Sequence, residues 1–399
     1  MRKNGVNREL RVIAGGVCAP EGFKAGGIAC GIKADGDKDL ALILAERRCP
    51  TACVYTTSSK CGAPVTISKR HVKKGYARAV LANGGVANVF LENGEKIADY
   101  ACGLVEKHFG VLKEEVVIAS TGEVGKSLSF EPFERGIKLL ATALGTTEEC
   151  GYTAAQAISN RREEAKQFSY SFDIGDFTCK IGGIFKGSMH VSPNMATTLA
   201  FLTTDVNISP EMLQRALQAE TKETLNQLDI DGEPSPNDTV CIMANGKAGN
   251  CLIDCVDSEY KKFSFALRSV LTEICRSIAS NARSDRTLIC KVSGAKSKQI
   301  SRALTREIVG TDSIRKSITR GSFDVEGVLY LLAEKNAVAD FSRVILSLRA
   351  EKGELVIFED GKKLSDCGER VRELLQAGEI EIVVELNEGN YGSFAFGCA

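Results

Sequence analysis

The feature that most restricts the fold of this chain is the shortness of its apolar segments, which glycine-containing turns separate along the whole length. The chain holds 38 glycines among 399 residues, and glycine adopts the positive φ angles that tight turns need. Residues 26–46, GGIACGIKADGDKDLALILAE, contain two apolar runs divided by a Gly-Asp turn and predict a hairpin. Residues 94–110, GEKIADYACGLVEKHFG, have helical apolar spacing and a terminal glycine. We therefore predict a mixed α/β (α+β) fold of short strands and helices.

Three further segments give specific predictions of secondary structure. The stretch PVTISKRHV, residues 64–72, predicts a short strand, and KQFSYSFDIGDFTCKIGGIFKGSM, residues 166–189, predicts a hairpin. The segments EIEIVVELN and YGSFAF near the end of the sequence predict a second hairpin around Gly389-Asn390. No repeat of 20–50 residues and no low-complexity linker occurs, so composition marks no domain boundary.

Charge and hydropathy exclude two classes of partner. The chain has 51 basic and 51 acidic residues and no basic stripe, which argues against nucleic-acid binding. No apolar run approaches the roughly 20 residues that span a bilayer, and the charged N-terminal segment has no apolar signal region. We therefore predict a cytoplasmic protein with neither a nucleic-acid nor a membrane partner.

The 15 cysteines are scattered along the sequence. Their only close pairs are Cys49/Cys53 and Cys251/Cys255, and the three histidines do not cluster with them. A zinc site would need two close pairs or a Cys/His set. We therefore predict no metal site, and interpret the cysteines as reduced, buried thiols that act as small apolar side chains.

The stretch HVSPNMATTLAFLTTD, residues 190–205, places two adjacent threonines between a Pro-Asn turn and an apolar run. A threonine hydroxyl becomes a good nucleophile when a base is within hydrogen-bond reach, and its own α-amine serves once the preceding peptide bond is cut. The hydroxyl of Thr197 could attack the carbonyl of Ala196, a small residue, and form an ester that water then hydrolyses. From these residues alone, an ordinary strand or helix start is the better explanation of the pattern.

A resemblance covering most of the chain favours the catalytic interpretation. The stretch KGSMHVSPNMATTLAFLTTD resembles the self-cleavage motif of the ornithine acetyltransferase family, the ArgJ-type glutamate N-acetyltransferases of arginine biosynthesis. Other segments resemble that family's motifs in the same order, from about residue 25 onward: GIACGIKADGDKDLALILAE, ARAVLANGGVANVF, EEVVIASTGEVG and LDIDGEPSPNDTVCIMANG.

The resemblance implies cleavage between Ala196 and Thr197. Residues 1–196 would form an N-terminal (α) chain, and residues 197–399 would form a C-terminal (β) chain that begins with the nucleophile Thr197. It also implies a two-lobed, self-cleaving N-terminal-threonine fold with mixed sheets. The cleaved halves would intertwine, and two such α/β heterodimers would form a dimer.

The resemblance also assigns roles to four other residues. Thr121 and Gly122 would form an oxyanion hole, a position where losing one donor costs roughly 100- to 1,000-fold in rate. Lys186 matches the family's substrate-contacting lysine, and its ammonium could pair with a substrate carboxylate. Asn160 is a weaker substrate-binding candidate. Without the resemblance, a solvated lysine and an ordinary strand-end turn would account for Lys186 and for Thr121-Gly122.

The implied reaction is ping-pong transfer of an acetyl group from N-acetylornithine to glutamate through a Thr197 ester. It needs neither a cofactor nor a metal. The small-molecule partner would be an N-acyl amino acid.

Three departures from the family pattern concern substrate recognition. The Thr-Thr-Asp-Thr segment is replaced by AISNRREEAK, in which Asn160 can still hydrogen-bond. The Asp-Gly-Glu loop is replaced by SNARSDRTLICKV, where Asp285 is the nearest acid. The sequence ends at FAFGCA, before the family's tail Asn and Thr.

Because a buried, unpaired charge costs several kcal/mol, the missing glutamate is expected to weaken binding of an amine at that subsite. The sequence therefore leaves three functions open: an acyltransferase with the family substrates, a diverged paralogue that uses another acyl donor or acts as an amidohydrolase or peptidase, and an uncleaved, non-enzymatic binding protein. His190 lies within the cleavage motif, and a turn or core position accounts for it without any catalytic role.

Overall fold

The structure is a computed structural model that describes residues 10–159, 164–187, 198–230, 235–282, 286–364 and 368–399. The strands in these residues are β1 Arg11–Val12, β2 Phe23–Ile28, β3 Leu40–Tyr55, β4 Tyr76–Asn83, β5 Val116–Ser120, β6 Lys166–Ile174, β7 Phe177–Gly187, β8 Thr198–Thr204, β9 Thr239–Ala244, β10 Thr287–Ala295, β11 Ile345–Ala350, β12 Gly353–Glu359, β13 Lys362–Lys363, β14 Glu379–Glu385 and β15 Tyr391–Cys398. The α-helices are α1 Ala63–His71, α2 Gly94–Phe109, α3 Glu131–Ala143, α4 Glu148–Ile158, α5 Pro210–Glu223, α6 Ser258–Ser280, α7 Lys298–Gly310, α8 Asp312–Thr319, α9 Val325–Glu334 and α10 Gly368–Leu374.

The described residues fall into two compact units that exchange segments along the chain. The first unit draws on the described residues within the ranges 10–187, 198–220 and 235–270, and the second on those within 221–230 and 271–399. This division is a matter of packing, whereas the predicted division at Ala196–Thr197 is a covalent cut. The cleavage into chains of residues 1–196 and 197–399 therefore remains a prediction.

The sheet of the first unit has the order β1-β6-β7-β8-β9-β3-β4-β5, with β2 also paired to β3. The predicted hairpin of residues 26–46 is confirmed, since β2 and β3 pair antiparallel from Phe23↔Ala45 to Ile28↔Leu40. The predicted hairpin of β6 and β7 is confirmed as well. Strand β3 changes its register against β4 between Leu44 and Cys49, pairs with β4 as far as Pro50, and pairs with β9 from Thr51 to Tyr55.

Alternate residues of β4 and β5 face two different cores, as expected for strands that are buried on both faces. One face packs against α1, α2 and α3. The opposite face shares a cluster with α4 and with buried residues of β7, β8 and β9. The carboxyl ends of β4 and β5 thus lie between two packed layers, and the residues that follow these strands are held from both sides.

The segment PVTISKRHV, predicted as a strand, is helix α1 instead. Pro64 occupies the first turn, where its missing N–H costs nothing. Ser68 and His71 lie on the buried face and bond to β5: the Ser68 hydroxyl donates to the Ile118 carbonyl at 2.6 Å, and His71 Nδ1 lies 2.9 Å from the Val116 carbonyl oxygen. The prediction was wrong because β-branched residues outweighed the helix-start signal, which packing against β5 supports.

The second unit contains a sheet of order β13-β12-β11-β14-β10-β15. The terminal hairpin predicted around Gly389-Asn390 does not form, because β10 lies between β14 and β15. It pairs parallel with β14 and antiparallel with β15. The core on this sheet includes Leu288, Cys290 and Val292 of β10 together with residues of α7, α8 and α9. The alternating apolar pattern of β14 and β15 correctly predicted two strands, but it could not predict which strand each of them pairs with.

Most described cysteines are buried thiols, in agreement with the interpretation of the sequence. Ten of the 14 described cysteines are buried, and Cys251 and Cys255 are exposed. Within the described ranges, no group of three or more His, Cys, Asp or Glu side chains could hold a metal ion. None of the helices formed by the described residues is long and apolar enough to cross a membrane.

Candidate active site

The structure describes three of the site residues predicted from the sequence, and it places them at strand ends of the first unit. Lys186 is the penultimate residue of β7, and Thr121 and Gly122 follow β5 directly. Thr197, Ala196 and Asn160 lie outside the described residues. The same holds for His190 and Asp285.

Lys186 and Thr121 are in direct contact although 65 residues separate them in sequence. The Lys186 ammonium donates a hydrogen bond to Thr121 Oγ1 at 2.7 Å, and both side chains are only 4% exposed. Because a lysine ammonium has no acceptor, the threonine oxygen must accept, which directs the threonine proton away from the lysine. Because the positive ammonium of Lys186 bonds to the threonine oxygen, it makes the Thr121 hydroxyl a stronger hydrogen-bond donor to another group.

Gly122 supplies a second donor beside that hydroxyl. Its backbone N–H forms no hydrogen bond with any residue in the described part of the chain, and Gly122 is exposed. Its φ of 133° belongs to a region that residues with a Cβ rarely adopt. An added Cβ would also collide with the backbone of Gly85. The turn therefore requires glycine, and it leaves an N–H and a hydroxyl on consecutive residues free to bind an anionic oxygen.

Asn83, the last residue of β4, holds this turn in place. Its carbonyl accepts from the Thr121 N–H at 2.9 Å, and its Oδ1 accepts from the Ser120 hydroxyl at 2.6 Å. Its Nδ2 donates to the Val86 carbonyl at 2.9 Å. Asn83 is buried, and these bonds satisfy both ends of its amide group. Two strand ends are thus tied together directly beneath the candidate oxyanion hole.

We expect the Gly122→Ala variant to lose stability and activity together. The added methyl group meets the Gly85 backbone, so the free energy of unfolding should fall by about 1–3 kcal/mol more than in Gly125→Ala. Gly125 is the matched control because it also has a positive φ, 76°, but has open space around its Cβ position. Thermal unfolding and acyl-transfer rates measure the difference. Equal free energies of unfolding for the two variants would show that the Gly85 backbone does not exclude a Cβ at position 122.

Thr198 is the first residue of β8 and lies next to the end of β7, in register with Gly187. Its backbone N–H donates to Asp238 Oδ1 at 2.6 Å. Asp238 is fully buried and immediately precedes β9, which runs parallel to β8. Burial raises the pKa of the Asp238 carboxyl well above its ordinary value, while the bond from the Thr198 N–H lowers that pKa by a smaller amount.

A second anchored loop lies on the other side of the Gly84-Gly85 turn. Both carboxylate oxygens of the buried Asp39 accept backbone N–H groups of residues 30–33, at 2.7–3.0 Å. Lys33 then donates to the Ser159 carbonyl, just beyond α4, at 2.8 Å and to the Lys38 carbonyl at 2.6 Å. A cation at the carboxyl end of a helix also offsets the helix dipole.

An open cavity of about 530 Å³ adjoins this loop. The residues that line it include Gly27, Lys33, Tyr152, Gln156, Ser159 and Glu164. Its volume lies within the range of small-molecule sites. Ser159 directly precedes Asn160 in the sequence, so the predicted substrate-binding segment continues from the wall of this cavity.

The sequence reasoning did not assign roles to Asn83, Lys33 or Asp238. All three lie in segments that carried the family resemblance, namely ARAVLANGGVANVF, GIACGIKADGDKDLALILAE and LDIDGEPSPNDTVCIMANG. A polar residue at the end of an apolar run was the available signal. That signal is common at strand ends, so it could not distinguish these residues from ordinary turn residues.

Comparison with known proteins identifies the family. The sequence profile of the ArgJ family matches residues 24–399. The chain belongs to the ArgJ family. It is similar to the arginine biosynthesis bifunctional protein ArgJ of Symbiobacterium thermophilum, with 33% identity over 390 residues that cover 97% of this chain and 96% of that protein. It is also similar to the glutamate N-acetyltransferase of Methanocaldococcus jannaschii, with 31% identity over 399 residues and coverage of 98% and 96%.

A solved structure gives a further match. The ornithine acetyltransferase of Mycobacterium tuberculosis, complexed with ornithine, is 28% identical, covers 47% of this chain and 100% of that chain, and has a TM-score of 0.43. The ArgJ family predicted from the sequence motifs is confirmed by the profile match and by these relatives. The mixed α/β fold class is confirmed as well.

Proposed function

We propose that this ArgJ family member is a self-processing acyltransferase that moves an acetyl group from an N-acetylornithine-like donor to the amine of glutamate. The observation that carries the proposal is the buried Lys186–Thr121 hydrogen bond at 2.7 Å. It prepares a strong hydroxyl donor beside the free N–H of Gly122, and β8, which begins right after Thr197, is the neighbour of the strand that carries Lys186.

Self-cleavage is the first step of the proposed function. Thr197 Oγ forms a bond to the Ala196 carbonyl carbon as the bond from that carbon to the Thr197 nitrogen breaks. The hydroxyl proton ends on the nitrogen, which gives an ester and a free amine. Water then attacks the ester, releases the Ala196 carboxylate and restores the Thr197 hydroxyl. The products are chains of residues 1–196 and 197–399.

Acyl transfer then uses the same hydroxyl twice. The α-amine of Thr197 accepts the hydroxyl proton as Oγ attacks the acetyl carbonyl of the donor, and the amine of the ornithine-like product leaves with a proton. The amine of glutamate attacks the resulting ester, and the Thr197 hydroxyl is regenerated as N-acetylglutamate leaves. Each attack produces an anionic oxygen, which the hydroxyl of Thr121 and the N–H of Gly122 are suited to stabilise.

The role proposed for Lys186 is wider than substrate binding. The sequence assigned its ammonium to a substrate carboxylate, and the structure adds its bond to Thr121. We assign to it a positioning role in which it orients and polarises the Thr121 hydroxyl. Its positive charge also favours the anionic intermediate.

The relatives and the cavity support the proposed substrates. Two relatives are named for arginine biosynthesis and for glutamate N-acetylation, which supports an acetylated amino-acid donor and glutamate as acceptor. The 530 Å³ cavity beside Ser159 provides space for a molecule of that size. We further propose that the two cleaved chains remain intertwined and that the active form is a dimer of these pairs.

Replacement of Lys186 by Met should lower kcat about 10- to 100-fold, because a hydrogen bond from a charged group contributes roughly 1.5–3 kcal/mol. Lys186→Arg, which keeps the charge, should retain more of the rate. Steady-state kinetics on the cleaved protein distinguish an effect on kcat from an effect on KM. A role confined to substrate binding would raise KM and leave kcat unchanged.

Mass spectrometry of the enzyme after brief incubation with a panel of N-acyl amino acids tests the proposed function. The expected result is an acyl adduct on the chain that begins at Thr197, formed with N-acetylornithine and removed when glutamate is added. Thr197→Ser is the matched positive variant, because it keeps a hydroxyl nucleophile.

Two outcomes would contradict the proposal. If the adduct decays at the same rate with and without glutamate, the enzyme is a hydrolase. If wild-type protein remains a single chain of 42.9 kDa and forms no adduct with any donor, it is not an N-terminal-threonine enzyme.

A further inference from the structure

Asp238 is a buried residue that has no role in the proposed acyl transfer. Its loop is tied to three other parts of the first unit: the Asp238 carbonyl accepts from the Thr56 N–H at 2.9 Å, the Pro236 carbonyl accepts from the Gly62 N–H at 3.0 Å, and the Asn237 amide donates to the Ala87 carbonyl at 2.7 Å. The position of the Asp238 carboxyl is therefore fixed by bonds that are independent of β8.

The carboxyl group of Asp238 contacts one end of β8. Asp238 Oδ1 accepts from the Thr198 N–H at 2.6 Å, and Asp238 is completely buried. Asp238 Oδ2 is also buried and forms no hydrogen bond with any residue in the described part of the chain. A buried polar atom without a partner is uncommon in native proteins and calls for an explanation.

The location of this contact suggests that explanation. The Thr198 nitrogen belongs to the peptide bond that joins it to Thr197, the residue proposed to attack and to carry the new N-terminus. An acceptor fixed on this nitrogen restrains the plane of that peptide. Burial raises the pKa of the Asp238 carboxyl, and a buried oxygen without a partner costs less in the uncharged form of a carboxyl than in the charged form.

We propose that Asp238 is a positioning residue for self-cleavage, which accepts a hydrogen bond from the Thr198 amide and thereby aligns the residue before it for attack. This inference rests on the proposed cleavage at Ala196–Thr197. It assigns to Asp238 no proton transfer and no contact with the acyl donor.

Asp205 provides a matched control at the opposite end of the same strand. Asp205 directly follows β8, is 5% exposed, and its Oδ1 accepts from the Lys180 N–H at 2.7 Å. Burial raises its pKa as well. The two aspartates therefore share burial, the direction of their pKa shift and the type of contact, and differ in their distance along β8 from the cleavage junction.

The test follows the conversion of the full-length chain to two fragments over time after cell-free synthesis. Asp238→Ala and Asp238→Leu should cleave about 100-fold more slowly, the cost of a misplacement of roughly 1 Å in a reacting group. Asp238→Asn should cleave close to the parent rate, since its side chain has nearly the same size and its amide oxygen can accept from the Thr198 N–H in place of Oδ1. Asp205→Ala should also cleave at the parent rate, even where thermal unfolding shows a similar loss of stability.

Each other result overturns the inference. If Asp238→Ala cleaves at the parent rate, the contact does not align the junction. If Asp238→Asn folds, as judged by its thermal unfolding, and fails to cleave, then Asp238 acts through an ionised carboxylate. If Asp205→Ala is as slow as Asp238→Ala, the effect is one of general stability. Failure of wild-type protein to cleave would instead refute the proposed function.

Discussion

Replacement of Thr197 by Ala should leave the protein as a single chain of 42.9 kDa, whereas the parent protein should run as two bands of about half that mass. Alanine lacks the hydroxyl that attacks the Ala196 carbonyl, so neither the ester nor the new N-terminus can form. Acyl transfer should fall on the order of 10⁶-fold, the scale seen when the nucleophile of a catalytic unit is removed. A denaturing gel and an assay of N-acetylglutamate formation measure the two effects.

Thr203→Ala is the control for this variant. Thr203 lies in the same strand, β8, and its hydroxyl donates to the Val17 carbonyl at 2.6 Å in a buried position. Its loss should reduce stability while cleavage proceeds. Thr197→Ser should also cleave. If Thr197→Ala is still cut into two chains and Thr198→Ala is not, the nucleophile is Thr198, and the assignment of Thr197 is wrong.

The second large effect is expected from Thr121→Val, which keeps the shape of the side chain and removes the hydroxyl. The anionic oxygen formed in each attack loses one of its two donors, so kcat should fall about 100- to 1,000-fold with little change in KM. The buried ammonium of Lys186 also loses the bond to Thr121, so some loss of stability should accompany the kinetic effect. Steady-state rates and thermal unfolding of the cleaved protein report both.

Thr121→Ser separates these two causes, because it restores the hydroxyl for both the substrate and Lys186. We expect it to recover most of the rate and of the stability. Thr203→Val serves as the structural control, since it removes a buried hydroxyl with a comparable hydrogen bond to a carbonyl. A Thr121→Val enzyme with an unchanged kcat would mean that the Thr121 hydroxyl is not part of the oxyanion hole.

Local patterns in the sequence predicted those parts of the fold that depend on neighbouring residues. The hairpin of β2 and β3 follows from two apolar runs around a Gly-Asp turn, and helix α2 ends at Gly110 with a φ of 62°, as its terminal glycine indicated. Each of these signals acts within one or two turns of the chain, where the physical cause lies in the same residues as the pattern.

Predictions from local sequence patterns were wrong where the secondary structure or the strand pairing depended on a strand far away in the sequence. The residues of α1 resemble a strand, and their contact with β5, about 50 residues away, supports the helix. The last two strands have the alternation of a hairpin, but β10 lies between them and pairs with both. Register and pairing are set by the packing of both faces, which no local window contains.

The candidate site divides in the same way. The sequence by itself determined the residue types and their order, namely the hydroxyl pair after the Pro-Asn turn, the Thr121-Gly122 turn and Lys186, because these chemistries are encoded by short motifs. Only the tertiary structure decided that Lys186 bonds to Thr121, that Asn83 braces the turn, and that Asp238 holds the Thr198 amide. The reason is physical. A hydrogen bond needs its two atoms within about 3 Å, and residues 37 to 65 positions apart reach that distance only when the strands that carry them pack into one sheet.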